Sequence, residues 1–151
     1  MRNGPLQRIA DAYVPCRIYG VRYELGSRMQ TRFFALDAVD GSLDLFEFPR
    51  MPSPQEFLPI ETRNFLRPSL TGARAEELLR EKILRVIFQH GFFKLRERGL
   101  AVVREPLELH LPYWLGLYGR RGVVRCRAMD AVRRRIEGAK ASAFFEQWLA
   151  A

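Results

Sequence analysis

The chain has 151 residues, of which 48% are hydrophobic and 28% are charged, so it is long enough to bury a core and too apolar for a disordered tail. Eleven Phe, five Tyr and two Trp residues add aromatic surface for packing. Arginine interrupts the hydrophobic runs, and no stretch approaches the roughly 18 apolar residues of a membrane helix. We therefore expect one globular domain over residues 1–151.

The formal net charge is +8, and all but three of the 25 basic residues are arginine. Two explanations remain open for this excess. Arginine suits bidentate contacts with phosphate or carboxylate groups, whereas GC-rich codons raise its content without any functional reason. Codon bias is the favoured explanation.

The N-terminal segment and the cysteines exclude several classes of protein. Residues 1–13 lack the apolar block of a secretory signal, which predicts a cytoplasmic protein if Met1 is the native start. Cys16 and Cys126 belong to no CxxC or Cys/His cluster, so neither a disulfide framework nor a zinc site is expected. No glycine-rich phosphate loop is present, and we expect no cofactor.

Three strands are predicted in a first unit over about residues 13–48. Aromatic and β-branched residues on both sides of a Gly-Ser turn at 25–30 indicate a hairpin. Asp40-Gly41 marks a tight turn, because glycine adopts a positive φ without steric cost. Partial alternation over 43–48 then predicts the third strand.

A connector and a helix follow the first unit. Five prolines between residues 49 and 70 exclude a central strand or a long helix there. Apolar residues are expected to hold this connector against the domain, namely Phe57, Leu58, Ile60, Phe65 and Leu66. Thr71 is a helix cap, and three- and four-residue apolar spacing predicts a helix over about 72–90 that stops at Gly91. The stretch 92–98 fits either a helix or a strand.

A second unit is predicted over about residues 100–150. Two apolar runs, interrupted by Pro106 and Pro112, lead to a turn over 119–122. A strand over 123–132 follows, with Arg125 and Arg127 on the face opposite Cys126 and Ala128. A final helix over about 137–149 presents five apolar residues to the core, namely Ala141, Phe144, Phe145, Trp148 and Leu149.

The two hairpins share a sequence pattern. Val14-Pro15 opens the first and Leu111-Pro112 opens the second, while Ala-Leu-Asp-Ala-Val (35–39) and Ala-Met-Asp-Ala-Val (128–132) close them. The shorter spacing in the second copy is absorbed by its turn, where insertions are tolerated. The sequence thus predicts an α+β fold of two antiparallel β-hairpin units related by an internal repeat. A long central helix joins them, and a C-terminal helix packs on the sheet.

Each unit resembles the hairpin-plus-helix modules of the PepSY type, in which a strand pair ends in an Asp-Ala-x-x-Gly turn. Residues 37–41 fit this ending, and residues 130–134 lack its glycine. The resemblance covers about half of the chain and implies a non-catalytic module that binds a partner protein. On physical grounds alone, Asp37 and Asp130 are expected to accept hydrogen bonds from turn amides, with Gly41 completing the first turn.

For catalysis, the sequence offers one group of residues. Glu108 and His110, together with Glu105, would bring carboxylates and an imidazole to one strand edge. A solvated cross-strand pair explains the same residues, and His90 suits a helix terminus. We therefore predict no enzymatic activity.

The remaining candidate is a surface that combines arginine with aromatic residues. It comprises Trp114, Tyr118, Arg120, Arg121, Arg125, Arg127, Arg133, Arg134 and Arg135. Tyr113 and Trp114 are adjacent in a predicted strand and point to opposite sides, so at most one of them is exposed. We expect an interaction module that binds an unidentified protein. The alternative is single-stranded nucleic acid, held by arginine and stacked on aromatic rings over 120–135.

Overall fold

The structure is a computed structural model that describes residues 4–25, 27–89 and 100–151. Its elements are β1 (Leu6–Leu25), β2 (Arg28–Asp37), β3 (Phe46–Phe48), a 3₁₀ turn (Pro54–Glu56), α1 (Gly72–Gln89), β4 (Ala101–Arg120), β5 (Val123–Asp130), β6 (Arg135–Ile136) and α2 (Ala139–Ala150). The expected α+β fold with a central and a C-terminal helix is confirmed. The predictions for His90, Gly91 and residues 92–98 lie outside the described residues.

The strands form one antiparallel sheet in the order β3-β2-β1-β4-β5-β6. β1 and β4 are each 20 residues long and pair along most of their length, with Val14 opposite Leu111 near the middle. β2 pairs with the second half of β1, and β5 pairs with the second half of β4. From either edge inward, the sheet therefore has a strand of two or three residues, then a strand of eight or ten residues, and then a 20-residue strand.

Several predicted boundaries are wrong. β1 begins at Leu6 instead of residue 13, and the two runs over 100–118 are one strand, β4, although Pro106 and Pro112 lie within it. Pro106 falls in a register shift, and such irregular places tolerate proline. The turn after β4 shrinks to two residues, Arg121 and Gly122, with φ of 52° and 81°.

Pro112 remains in the ladder because of where its backbone points. Pro112 pairs with Tyr13, and the N–H and C=O of Tyr13 both bond to the connector, on the side away from β4. Tyr13 and Pro112 are therefore a non-hydrogen-bonded pair of the antiparallel ladder. The Pro112 carbonyl likewise points outward and accepts from the Ala131 amide at 3.1 Å. Proline therefore removes no hydrogen bond between β1 and β4 at this position.

The two helices cover opposite faces of the sheet. α2 packs on the face that carries Val14, through the buried side chains Ala141, Phe144 and Phe145. α1 packs on the other face, over β1 and β2, with a buried stripe of Ala75, Leu79 and Ile83. Side chains alternate along a strand, so β1 supplies Val14 and Cys16 to one core and Tyr19, Val21 and Tyr23 to the other.

The final helix exposes part of its predicted apolar set. Trp148 only borders the core, and Leu149 is 44% exposed, which corrects its assignment to the core. At the start of α1, Thr71 acts as the expected cap, since its Oγ1 accepts from the Arg74 amide at 3.3 Å.

The connector is held at two places. Near its end, the Ser69 and Leu70 amides both donate to the Ala38 carbonyl, at 2.9 and 3.0 Å. The Tyr13 amide donates to the Asn64 carbonyl and the Leu66 amide donates to the Tyr13 carbonyl, each at 3.0 Å, which makes a parallel bridge between Tyr13 and Phe65. Leu66 is buried, as expected. The expectation is wrong for Leu58 and Ile60, which are 83% and 43% exposed.

Candidate functional site

Asp37 organises the turn that ends the first hairpin. Its carboxylate is buried, and its Oδ1 accepts from the amides of Val39, Asp40 and Gly41 at 3.1, 3.0 and 2.9 Å. Its Oδ2 accepts from the Leu43 amide at 2.9 Å. Gly41 has a φ of +74°, which only glycine adopts at little cost.

Asp130 occupies the same place in the second hairpin. Its Oδ1 accepts from the amides of Val132 and Arg133 at 2.9 and 3.0 Å, and its Oδ2 accepts from Nε of Arg133 at 2.6 Å. Arg134 stands where the first turn has Gly41 and has a left-handed φ of 56°. The expected role of both aspartates, as acceptors for turn amides, is therefore confirmed.

The predicted aromatic and arginine residues divide between several places. Trp114 is 48% exposed and Tyr113 is buried, as their alternation predicts. Trp114, Tyr118, Arg125 and Arg127 share one face, because Tyr118 pairs with Arg125 and Gly116 pairs with Arg127 across β4 and β5. The ring of Tyr118 lies over Gly116, where an added Cβ would come within 2.9 Å of the ring.

Arg120 lies on the same face as Tyr118 by alternation along β4, whereas the other four arginines lie elsewhere. Arg120 and Arg121 are exposed at the turn between β4 and β5. Arg133 bonds to Asp130 and lies over the Phe46 ring, 4.7 Å from its centroid, and Arg135 is 3.7 Å from a Glu137 carboxylate oxygen. Arg134 is exposed at the turn after β5. The seven arginines therefore do not form one continuous patch.

Four further apolar residues complete a groove around Trp114. Leu6, Ile9 and Ile136 are 49%, 62% and 59% exposed, and Met129 pairs with Trp114. The groove has a volume of about 270 Å³. We call it the Trp114 face, which comprises Leu6, Ile9, Trp114, Tyr118, Arg127, Met129 and Ile136.

Sequence reasoning missed three of the four apolar members because the segments that carry them were not recognised as strands. The first half of β1 carries Leu6 and Ile9, and β6 carries Ile136. In β1, the alternation of Ala10, Ala12 and Val14 was the available signal, and it is weak because alanine is small.

A larger pocket of about 660 Å³ lies beside β4. Five consecutive residues of β4, from Glu108 to Pro112, line it. Aromatic and aliphatic side chains from the first unit and the connector complete its wall, namely Phe46, Phe48, Phe57, Leu58, Ile60 and Phe65. Because neighbouring side chains of a strand point to opposite faces, a pocket along five consecutive residues meets backbone as well as side chains.

The two titratable residues of β4 that line the larger pocket, Glu108 and His110, each contact another side chain. Glu108 pairs with Arg104 at 2.7 Å, and the His110 ring lies 4.7 Å from the Phe65 ring, between centroids. Burial lowers the pKa of His110, and the nearby Glu108 opposes that shift. Among described residues, no group of three or more His, Cys, Asp or Glu side chains is placed to hold a metal.

Both cysteines are free and buried. Burial raises the pKa of Cys126 to about 11, with a smaller contribution from Glu146, and it raises the pKa of Cys16 further. The thiolate is the reactive form, so neither thiol is prepared for nucleophilic attack.

Neither described helix has the length and apolar character needed to cross a membrane. No protein-family model, curated protein or solved structure matches this chain.

Proposed function

We propose that the chain is a non-enzymatic interaction module that binds a partner protein on the Trp114 face. The observation that carries the proposal is a half-exposed tryptophan in an apolar groove on an uncovered part of the sheet. Tryptophan and arginine dominate the binding energy of many protein interfaces, and contiguous exposed apolar surface marks interaction sites.

The first unit supports this reading, because its corresponding surface is covered. Tyr19 and Val21 of β1 occupy the positions that Gly116 and Tyr118 occupy in β4, on the same face of the sheet. α1 packs over Tyr19 and Val21 in the core of the first unit. Among the described residues, α2 lies on the opposite face, so no helix covers the Trp114 face. A partner that covers it would bury the same kind of surface that α1 buries.

Charge indicates what surrounds the apolar contact on the partner. Arg125 and Arg127 are exposed on the face of Trp114, and the chain carries a net charge of +8. We therefore expect a partner with apolar side chains inside an acidic rim, since complementary charge speeds association and selects partners. Separation of Arg133 and Arg135 from this face disfavours a single nucleic-acid surface over 120–135.

We also infer that the two units arose by duplication. The Ala38 amide donates to the Pro15 carbonyl at 2.7 Å, as the Ala131 amide donates to that of Pro112 at 3.1 Å. Cys16 pairs with Asp37 as Tyr113 pairs with Asp130. An experimental structure without these matched bonds would contradict the inference. The likeness to PepSY-type modules and the cytoplasmic location stay predictions.

The binding proposal is tested with a photo-crosslinking amino acid at position 129, next to Trp114, in the full chain. Lysate is treated or not with nuclease, and the crosslinked partner is then purified and its affinity measured. We expect a protein adduct that survives nuclease treatment. We also expect Trp114→Ala to weaken binding of the purified partner by about tenfold or more.

Val103→Ala is the matched control, because Val103 is also exposed, at 60%, and lies outside the Trp114 face. It should leave the affinity unchanged. Adducts that disappear with nuclease, together with binding that falls steeply with salt, would replace the proposal with the nucleic-acid alternative. An affinity that Trp114→Ala leaves unchanged would contradict the proposed site.

A further inference from the structure

We propose that the outer edge of β4 at His110 is a second binding site, which takes an extended segment of a partner protein as a parallel strand. The site is distinct from the Trp114 face. The observation behind it is the corresponding edge in the first unit, where the connector already makes this kind of contact with Tyr13.

His110 and Tyr13 hold the same position in their units. Val14 lies opposite Leu111, Tyr13 precedes Val14 as His110 precedes Leu111, and a proline follows in both cases. The exchange of the two strands therefore maps Tyr13 onto His110. What bonds to the outer edge at Tyr13 shows what the edge at His110 is shaped to accept.

The backbone of His110 points to that outer edge. His110 pairs with Pro15, whose carbonyl bonds outward to the Ala38 amide, so the pair makes no direct hydrogen bonds between its members. The N–H and C=O of His110 therefore point away from β1. β5 pairs with β4 only from Tyr113 onward, and among the described strands none pairs with the outer edge of β4 at His110.

In the first unit, two connector residues satisfy the corresponding backbone groups. The Tyr13 amide donates to the Asn64 carbonyl, and the Tyr13 carbonyl accepts from the Leu66 amide. Between them, Phe65 sets its ring against that of Tyr13, with 5.4 Å between centroids. A segment at His110 would make the same two backbone bonds and add a large apolar side chain to the contact that the imidazole already makes with the Phe65 ring. This is strand addition, in which the backbone gives affinity and side-chain pockets give selectivity.

The pocket beside β4 suits such a side chain. It is lined by Glu108 to Pro112, with His110 at the centre of the run, and its other walls are mostly aromatic and aliphatic. Its two acidic residues, Glu56 and Glu108, pair with Arg50 and Arg104. The pocket therefore has little uncompensated charge, and an apolar residue suits it better than a charged one.

The test uses a synthetic probe that copies the segment bound at Tyr13, an acetylated and amidated peptide of residues 61–68 (Glu-Thr-Arg-Asn-Phe-Leu-Arg-Pro). Its binding to the full chain is followed by fluorescence anisotropy and by amide hydrogen exchange. We expect saturable binding that slows exchange of the His110 amide, because that amide gains an acceptor.

Two methylated peptides separate strand addition from apolar adhesion without altering the protein. N-methylation at Leu66 of the peptide removes the donor for the His110 carbonyl and should weaken binding about tenfold or more. N-methylation at Phe65 is the matched control, since in the first unit the bridging donor is the Leu66 amide, and it should have a much smaller effect. Equal affinity of the two methylated peptides would overturn the proposal.

Protein variants supply an independent reading. His110→Pro should abolish peptide binding while keeping the fold, since the amide it removes points away from β1. His110→Tyr, which copies Tyr13, should retain binding, and so should Trp114→Ala. If the peptide fails to bind while Trp114→Ala still weakens binding of the partner at the Trp114 face, this site alone would be overturned. Protection at Tyr13 instead of His110, or dimerisation of the free chain that His110→Pro prevents, would also overturn it, the latter in favour of a second copy as the occupant.

Discussion

The turns after β2 and β5 have the same backbone form and different chemistry. Asp37 accepts hydrogen bonds from four backbone amides in the first turn. Asp130 accepts hydrogen bonds from two backbone amides and from the Arg133 guanidinium in the second. A glycine takes the left-handed position in the first, and Arg134 takes it in the second. An aspartate at the end of a strand is thus the shared requirement, and the glycine is not.

Packing explains why the glycine is kept in only one turn. A Cβ added to Gly41 would lie 2.6 Å from Cδ1 of Leu78, so the Leu78 side chain on α1 would have to shift to admit a side chain there. Arg134 is exposed and meets no such constraint. The first turn therefore depends on both the aspartate and the glycine, and the second depends mainly on the aspartate.

The largest expected effect comes from removal of the aspartates. Asp37→Ala leaves four amide donors without their acceptor and should lower the free energy of unfolding by about 3–4 kcal/mol. Asp130→Ala loses fewer bonds and should cost about 2–3 kcal/mol. Urea denaturation measures both, with Asp37→Asn as the control that keeps one carbonyl acceptor. A larger loss for Asp130→Ala would reverse the comparison.

Gly41→Ala should come next, at about 2 kcal/mol, because it combines a left-handed φ with a clash against Leu78. The double variant Gly41→Ala/Leu78→Ala separates these causes in the same denaturation assay. Relief of the clash should make the combined loss smaller than the sum of the single losses. Simple additivity would show that Leu78 does not constrain the turn.

Arg134→Gly should change stability in the opposite direction. Glycine removes the steric cost of the left-handed backbone at this position, and this gain exceeds the loss from the greater freedom of the unfolded chain. We therefore expect the free energy of unfolding to rise by about 0.5–1 kcal/mol. Thermal unfolding followed by circular dichroism measures the shift. Arg134→Ala, which keeps a Cβ, is the control and should bring no such gain. A loss on Arg134→Gly would mean that the arginine itself holds the turn.

The smallest effect concerns Tyr13 and His110, which hold the same position in the two units. Because the folded pKa of His110 lies below its ordinary value of 6.5, the unfolded chain binds more protons as pH falls through this range. Stability should therefore fall as pH drops below 6.5, by well under the roughly 1.4 kcal/mol of one full pKa unit, because the ring is partly solvated.

Denaturation at pH 7.5 and 5.5 measures this effect, with His110→Tyr as the variant that copies the first unit. The variant should lose less stability over this range than the parent chain, since Tyr13 shows that the position accepts a group that does not titrate there. An equal loss in both proteins would assign the pH dependence to other groups.

Short-range patterns account for the features that were predicted correctly. Alternation and turn residues located the hairpins, three- and four-residue spacing located α1 and α2, and the repeated Ala-x-Asp-Ala-Val block located the two turns. Three of the seven residues of the Trp114 face were also recognised, and adjacency alone places Trp114 and Tyr113 on opposite faces. These features are local, because side-chain direction and turn geometry depend on neighbours in the chain.

The sheet order, the separation of the arginines and the pocket beside β4 depended on contacts between distant residues. Nothing near Pro112 in the sequence shows that its nitrogen faces away from β1, and nothing near Arg133 shows that it reaches Phe46. The sequence by itself determined most of the strand and helix segments, the turn aspartates and the excess of positive charge. Tertiary structure alone decided which helix covers which face and therefore which surface stays exposed, because a sheet with apolar residues on both faces can be covered on either side until long-range packing selects one.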